Sequence, residues 1–469
     1  MVNKNIFRKY DIRGIVDVDL TEEVVETIGR AFGSRLRDDG GKTAVVGHDV
    51  RESSPGFADA FSRGLASTGL DVINVGEVAT PVLYFAIFHH DADGGVMVTG
   101  SHNPVEYNGL KMCAGKWPIY GDQILELHDR IVNDRFSTGE GHIRQEAILD
   151  AYQEQLRQRF DSNLGAKVVV DAGNGTGGLF MPELLRSMGC EVEELFCEPD
   201  GTFPNHLPDP ENPENVQDLI RRVAATGADL GLAFDGDSDR VGVIANTGEK
   251  INSDRLLLLF AKTYLAKHPG GKVIYDVKCS EILDPEIREA NGEPIMWMTG
   301  HSLIKKKMRE EDALLAGELS GHICVYKDYY GFDDAFFAAL LTLQIRKDTG
   351  RSISELFADF PSTFTTHEIK VGCPDERKFD VVDDFLNDLK AEGNQVIDID
   401  GARVIYPDGW SLTRASNTTP CLTLCFESRT QDGLVAVLKR TLEQLEGYDD
   451  LDLDTLRQVV DESQKEAAR

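Results

Sequence analysis

The sequence predicts an α/β protein: three related α/β domains, with mixed sheets between helices, plus a smaller C-terminal α+β domain, the four arranged around a central cleft. Three observations carry this reading. The chain has 469 residues, and single hydrophobic cores stop growing at roughly 250–300 residues, so several domains are required. Short β-branched runs alternate with longer segments of helical period, the pattern of sheets layered between helices. The order of these segments recurs three times and then changes.

Each repeat opens on a strand with an aspartate at or near its end: "KTAVVGHD" (42–49), "KVVVDAGNG" (167–175) and "KVIYDVK" (272–278). A helix follows, then a second strand led by glycine: "GLDVINVG" (69–76), "GCEVEELFC" (189–197) and "GEPIMWMTG" (292–300). After another helical stretch comes a third strand with a polar, glycine-containing loop: "GGVMVTGSHNP" (94–104), "ADLGLAFDGDSDR" (228–240) and "DALLAGELSGH" (312–322). Ligands of open α/β sheets bind beyond the carboxyl ends of strands, so these three loops are expected to converge on one cleft. From residue 362 the pattern changes to alternating strands ("THEIKVG", "GARVIYPDGWSLTRAS", "CLTLCFES") with helical pieces. The expected domains are 1–147, 148–249, 250–361 and 362–469. The residues after Tyr448 read as an acidic, peripheral helix.

Composition narrows the function. There are 80 acidic against 49 basic residues, a net charge of −31. Such a surface repels nucleic acid and anionic lipid, so neither is an expected partner, and an anionic substrate requires local positive charge. The eight cysteines include no C-x-x-C pair, and in a chain of this length they read as reduced thiols. The start, "MVNKNIFRKYDIRG", lacks an apolar signal core, and apolar stretches such as "LLLLFA" (256–261) are far short of a membrane span. A cytoplasmic protein is expected.

The loops carry chemistry. "DGDSDR" sets Asp235, Asp237 and Asp239 at alternate positions after an apolar run; in an extended backbone these share one face. Crowded carboxylates repel unless a cation neutralises them, and an all-oxygen set suits a hard divalent ion, Mg²⁺ first. It is no EF-hand, since Arg240 and Asn246 stand where that loop needs Gly and Glu. A solvated acidic turn is the plainer alternative. Arg240 either forks onto phosphate or pairs with a neighbouring aspartate. "GELSGH" offers Glu318, Ser320 and His322, suited to sugar hydroxyls, although Gly/Ser turns are common. "RASNTTP" offers Arg414, Ser416, Asn417, Thr418 and Thr419, either a phosphate cradle or an Asx/ST turn. Arg8, Lys9, Tyr10 and Arg13 cluster in "RKYDIRG"; Lys111, Lys278 and His301 follow motif strands. The run Lys305–Lys307 reads as a solvated helical face.

Ser101 in "TGSHNP" lacks the G-x-S-x-G elbow, and His102, adjacent in sequence, is expected to point elsewhere. A serine that carries a phosphoryl group needs a metal, cationic side chains and an acid/base nearby, and the other loops supply these.

With "TGSHNP", "DGDSDR", "GELSGH" and "RASNTTP" in this order, the chain resembles the α-D-phosphohexomutase superfamily, in its bacterial phosphomannomutase/phosphoglucomutase branch, from "FRKYDIRG" through "RASNTTP". The resemblance implies a four-domain fold around a deep cleft and reversible transfer of phosphate between the 1- and 6-positions of mannose or glucose. It implies Ser101 as phosphoserine and one Mg²⁺ per chain held by Asp235, Asp237, Asp239 and a phosphoserine oxygen. Arg240 would then meet the reacting phosphate, and Glu318 and Ser320 the sugar. Arg414, Ser416, Asn417 and Thr418 would hold the other phosphate. It places Tyr10, Arg13, His102, Lys111, Lys278, His301 and His322 in the cleft, with Lys111 and His301 as the acid/base pair. A hexose 1,6-bisphosphate would be intermediate and activator, and the enzyme a monomer or weak dimer. Two departures stand out: Ser238 where glycine is frequent, and His48 where arginine is common. Phosphoglucosamine mutase, a phosphatase with Asp235 as nucleophile, and a non-catalytic sugar-phosphate sensor are the alternatives.

Overall fold

The computed structural model describes residues 2–416 and 419–467. Its contacts divide the chain into two compact units. The first takes in the described chain up to Ile274 with Ala290–Glu293 and Gly300–Ala358. The second takes in Tyr275–Glu289, Pro294–Thr299 and the described chain from Asp359 on.

In the first unit, every residue of strands Gly94–Val98 and Leu230–Phe234 is buried. That is why both read as unbroken apolar runs rather than alternating ones. Strand Thr43–His48 lies between Asp71–Glu77 and Gly94–Val98 and is parallel to both. Lys167–Asp171 lies in the same way between Glu191–Leu195 and Leu230–Phe234. In each case the third strand pairs antiparallel with the strand that follows its polar loop, Tyr107–Ala114 or Val241–Ala245. Leu315–Gly317 and Ile323–Val325 make the third such hairpin. The recurrence seen in the sequence is thus a recurrence of strand order, and each polar loop is a hairpin turn leaving a buried strand.

Helix ends follow local chemistry. Thr21 caps helix Glu22–Asp38 by accepting from the Val24 amide, and Glu22 and Glu23 fall in its first turn, where the helix dipole favours acid. Asp334 caps helix Ala335–Thr349, which is buried through Leu343, exposed over its last three residues and ends at Gly350 with φ 65°.

The second unit holds an antiparallel sheet in which Cys421–Ser428 pairs with Gly409–Ala415, Ile369–Gly372 and Phe364–Thr365. The terminal helix Asp454–Ala467 is not peripheral as expected: Leu456 and Val460 sit in the same core as Val371, Phe385 and Leu424. Its acidic residues occupy only the outer face of an amphipathic helix. Among the described residues, no helix is long and apolar enough to cross a membrane. All eight cysteines are buried and none forms a disulfide.

Candidate active site

Ser101 is buried at 3% exposure, with backbone φ 49°, in the left-handed region that costs a non-glycine residue strain. Its Oγ–H donates to Asp235 Oδ2 at 2.9 Å. His102 does not point elsewhere: its Nδ1 lies 3.1 Å from Ser101 Oγ, because the left-handed bend folds the neighbouring side chain back. Burial, with Arg240, Arg13 and Lys111 close by, pushes the His102 ring well below the usual histidine range, so it is neutral. Arg13 reaches the same loop, donating from Nη1 to Asn103 Oδ1 at 3.2 Å while its Nε pairs with Asp11 at 2.7 Å.

Asp235, Asp237 and Asp239 are fully buried, and one oxygen from each lies within 4.8 Å of the other two. They do not converge by strand alternation. Leu230–Phe234 ends before them, and a turn closed by the Ser238 amide on Asp235 O, with Ser238 at φ 57°, gathers them. Ser238 tolerates this bend with its hydroxyl 3.0 Å from Thr176 Oγ1. A Cβ on Gly236 would stand 2.4 Å from Ser101 O, so glycine is what lets this turn lie against the serine loop.

Lys111 donates to Asp237 Oδ2 at 2.6 Å and Asp239 Oδ2 at 2.5 Å. Burial alone would lower its pKa, but the three aspartates raise it above the usual lysine range. Arg240 does pair with its neighbour: Nε meets Asp235 Oδ2 at 3.0 Å and Nη1 meets Asp209 at 3.3 Å, while its buried Nη2 has no hydrogen-bond partner. Burial and the other two aspartates push Asp235 up to about 7. Asp237 goes the other way: burial opposes its charge, but Lys111, Thr80 and Ser101 overcome that and hold it low. Asp237 Oδ1 and Asp239 Oδ1, both buried, lack hydrogen-bond partners. Three carboxylates against two cations, with two orphaned oxygens and one acid driven toward neutrality, fit an oxygen-liganded divalent ion.

The "GELSGH" loop is tied to this turn by a β-bridge between Arg240 and His322. His322 Nδ1 lies 3.0 Å from Asp333 and 3.6 Å from Asp239, and its ring stacks on His301 at 5.3 Å. Burial outweighs Asp333 at His301, which falls to about 4; at His322, beside Asp239 and Asp333, the shift is upward. Glu318 Oε1 accepts the Gly300 amide at 2.6 Å. A Cβ on Gly300, at φ 128°, would strike the Tyr10 ring at 2.6 Å, so Tyr10 lies directly against the start of the His301 helix. Ser320 is half-buried on the turn of its loop.

Lys305 corrects the reading of the "KKK" run. It is 1% exposed and binds Asp333 at 2.8 Å, while Lys306 and Lys307 pair on the helix surface. Sequence reasoning also missed Asp333 and Thr80, whose hydroxyl donates to Asp237 at 2.5 Å. The signal for Asp333 was "FDDA": of two acids before an apolar helix, one caps it and the other is left to turn inward.

In the second unit, Lys278 pairs with Glu368 at 3.3 Å, and Arg414 with Asp400 at 3.1 Å. Ser416 Oγ lies 2.8 Å from Thr419 Oγ1. Asn417 and Thr418 lie outside the described residues.

Four family models match the chain in order. They are the phosphoglucomutase/phosphomannomutase alpha/beta/alpha domains I, II and III, over 4–138, 149–248 and 252–364, and the C-terminal domain over 368–444. This chain belongs to that family. A phosphomannomutase/phosphoglucomutase of Pseudomonas aeruginosa is 46% identical over 446 residues, 95% of this chain and 96% of that protein. A phosphoglucomutase of Neisseria meningitidis is 43% identical over 92% of this chain and 94% of its own. The crystal structure of a Burkholderia thailandensis phosphoglucomutase/phosphomannomutase family protein superposes with a TM-score of 0.90, at 43% identity, covering 95% of this chain and 98% of that one. The α-D-phosphohexomutase resemblance and the four-domain fold expected from sequence are thus both met.

Proposed function

We propose that the chain interconverts the 1- and 6-phosphates of mannose or glucose through phospho-Ser101 and an enzyme-bound hexose 1,6-bisphosphate. The observation that carries this is a buried serine hydroxyl hydrogen-bonded into a three-aspartate cluster, because phosphoryl transfer is catalysed chiefly by positioning and charge stabilisation. Asp235, Asp237 and Asp239 hold the divalent ion, Mg²⁺ by donor chemistry; once bound, it offsets the negative charge of the phosphoserine. Arg240, with a buried Nη2 free to donate, and Arg13 at the edge of the serine loop meet the transferring phosphate.

The geometry favours a different proton carrier from the Lys111–His301 pair. Lys111 is locked between two carboxylates and serves as their counter-charge. His322 has Nδ1 3.0 Å from the Asp333 carboxylate, and its other ring nitrogen is left for a substrate hydroxyl. His301 stacks behind it. Tyr10, Glu318 and Ser320 take the sugar, and Lys278, Arg414, Ser416, Asn417 and Thr418 the phosphate that is not reacting. Ser101 gives its group to one hydroxyl, the bisphosphate turns around, and the other phosphate returns to Ser101. A monomer or weak dimer in a reducing cytoplasm completes the reading.

Asp235 is poorly placed as a nucleophile, since Oδ2 accepts from Ser101 and Arg240 Nε and Oδ1 from the Arg240 amide. The test is chemical. Enzyme labelled by glucose 1,6-bisphosphate keeps its phosphate through hydroxylamine treatment if Ser101 carries it, and loses it if an aspartate does. The kcat/KM values for mannose 1-phosphate and glucose 1-phosphate are expected to be comparable, with glucosamine 1-phosphate poor; dominant glucosamine activity refutes the substrate assignment.

A further inference from the structure

The loop that holds Ser101 is gripped by one side chain absent from the site described above. Arg51 is 2% exposed. Its Nη1 donates to Pro104 O at 2.8 Å and Tyr107 O at 2.9 Å, and its Nη2 to Ser101 O at 2.9 Å and Asn103 O at 2.6 Å. Four carbonyls of one loop therefore turn inward onto a single guanidinium. Asp49 steadies it: Oδ2 lies 3.4 Å from Arg51 Nε and accepts the Gly100 amide at 3.1 Å, and Oδ1 accepts the Arg51 amide at 3.0 Å. A Cβ on Gly100 would overlap the guanidinium at 2.5 Å, so the loop lies flat upon it. Phe203 covers Arg51, its ring 4.9 Å from the guanidinium carbon.

Inward-facing carbonyls repel one another and a left-handed serine is strained, so neither persists unless the surroundings over-determine the loop. A planar guanidinium presents five donors in a fixed fork, whereas an ammonium directs three donors from one point and cannot span carbonyls on both sides. We infer that Arg51 is a positioning residue for phosphoryl transfer: it gathers the carbonyls of Ser101, Asn103, Pro104 and Tyr107 and so sets the left-handed backbone that aims Ser101 Oγ at the carboxylate cluster. The inference rests on Ser101 being the phosphoryl carrier.

The test uses the full chain phosphorylated by glucose 1,6-bisphosphate, with kcat, KM and the ³¹P resonance of the phosphoserine read for Arg51→Lys, Asp49→Asn and Phe203→Leu. A displacement of about 1 Å costs on the order of 100-fold in rate. Arg51→Lys is therefore expected to lose kcat on that scale, with KM nearly unchanged and the resonance shifted. Phe203→Leu removes the ring while leaving every hydrogen bond to the loop, so it should lower the melting temperature but keep kcat and the resonance. If Arg51→Lys does not fold, Asp49→Asn decides, with a smaller kcat loss and a shifted resonance expected. Unchanged kcat and resonance in the folded variant, or an equal kcat loss in Phe203→Leu, overturns the role of Arg51. A wild-type enzyme without a phosphoserine resonance overturns the role of Ser101 instead.

Discussion

Replacing Lys111 by Met removes one of two cations from a fully buried cluster of three carboxylates while keeping most of the side-chain volume. Lys111 Nζ sits 2.6 Å from Asp237 and 2.5 Å from Asp239. At an effective dielectric of about 20, each contact is worth on the order of 6 kcal/mol of gross attraction. Desolvation of all three groups offsets most of that, and deleting one partner of a buried pair costs about 3–5 kcal/mol, chiefly through the stranded charge. Asp237, now held low by Lys111, would lose its main counter-charge. The variant should therefore unfold much earlier than wild type in chelator. A bound divalent ion stabilises the folded state by about 2.7 kcal/mol at 100 times its dissociation constant, and a cluster with one cation fewer binds it more tightly. Denaturant unfolding followed by fluorescence, with EDTA and then with saturating Mg²⁺, measures both effects. The expected result is a large gap in EDTA that narrows in Mg²⁺ by about 1.4 kcal/mol for every tenfold by which the variant binds the ion more tightly. A Lys111→Met protein as stable as wild type in EDTA, or an equal Mg²⁺ shift in both proteins, refutes the reasoning.

Three further outcomes follow from the geometry. Burial holds His301 at about 4 when folded, below its unfolded value, so the unfolded chain takes up more protons as the pH falls. The stability from neutral His301 is full above about pH 6.5 and falls by about 2 kcal/mol between pH 7 and pH 5. His301→Gln should remove that part of the stability–pH slope, and an unchanged slope contradicts it. Gly300→Ala places a methyl group 2.6 Å from the Tyr10 ring at φ 128°, so KM for the hexose phosphate should rise as Tyr10 is displaced; unchanged kinetics would remove Tyr10 from the substrate site. Arg403 donates to Val277 O at 2.5 Å and Cys279 O at 2.9 Å with its guanidinium carbon 3.7 Å from the Trp410 ring centre. Arg403→Leu strands those buried carbonyls and should cost about 3 kcal/mol or more in the unfolding of the second unit, read from the Trp410 signal.

The sequence by itself determined the repeat and its chemistry. Periodicity depends on neighbours along the chain, so the strands opening at Thr43, Lys167 and Lys272, and the polar loops ending the third strands, were legible. So were Ser101 and the three aspartates, because three carboxylates within five residues, directly after an apolar run, call for a counter-charge once buried. Tertiary structure alone decided which groups answer them. Lys305 looked like its neighbours Lys306 and Lys307 until Asp333, 28 residues away, took it inside. His102 turned back because Ser101 is left-handed, a conformation sustained by Arg51 from 50 residues upstream. Arg51, Asp333 and Thr80 act through contacts with residues distant in sequence, and such contacts leave no periodic trace; burial, which makes those contacts strong, exists only once the chain has folded.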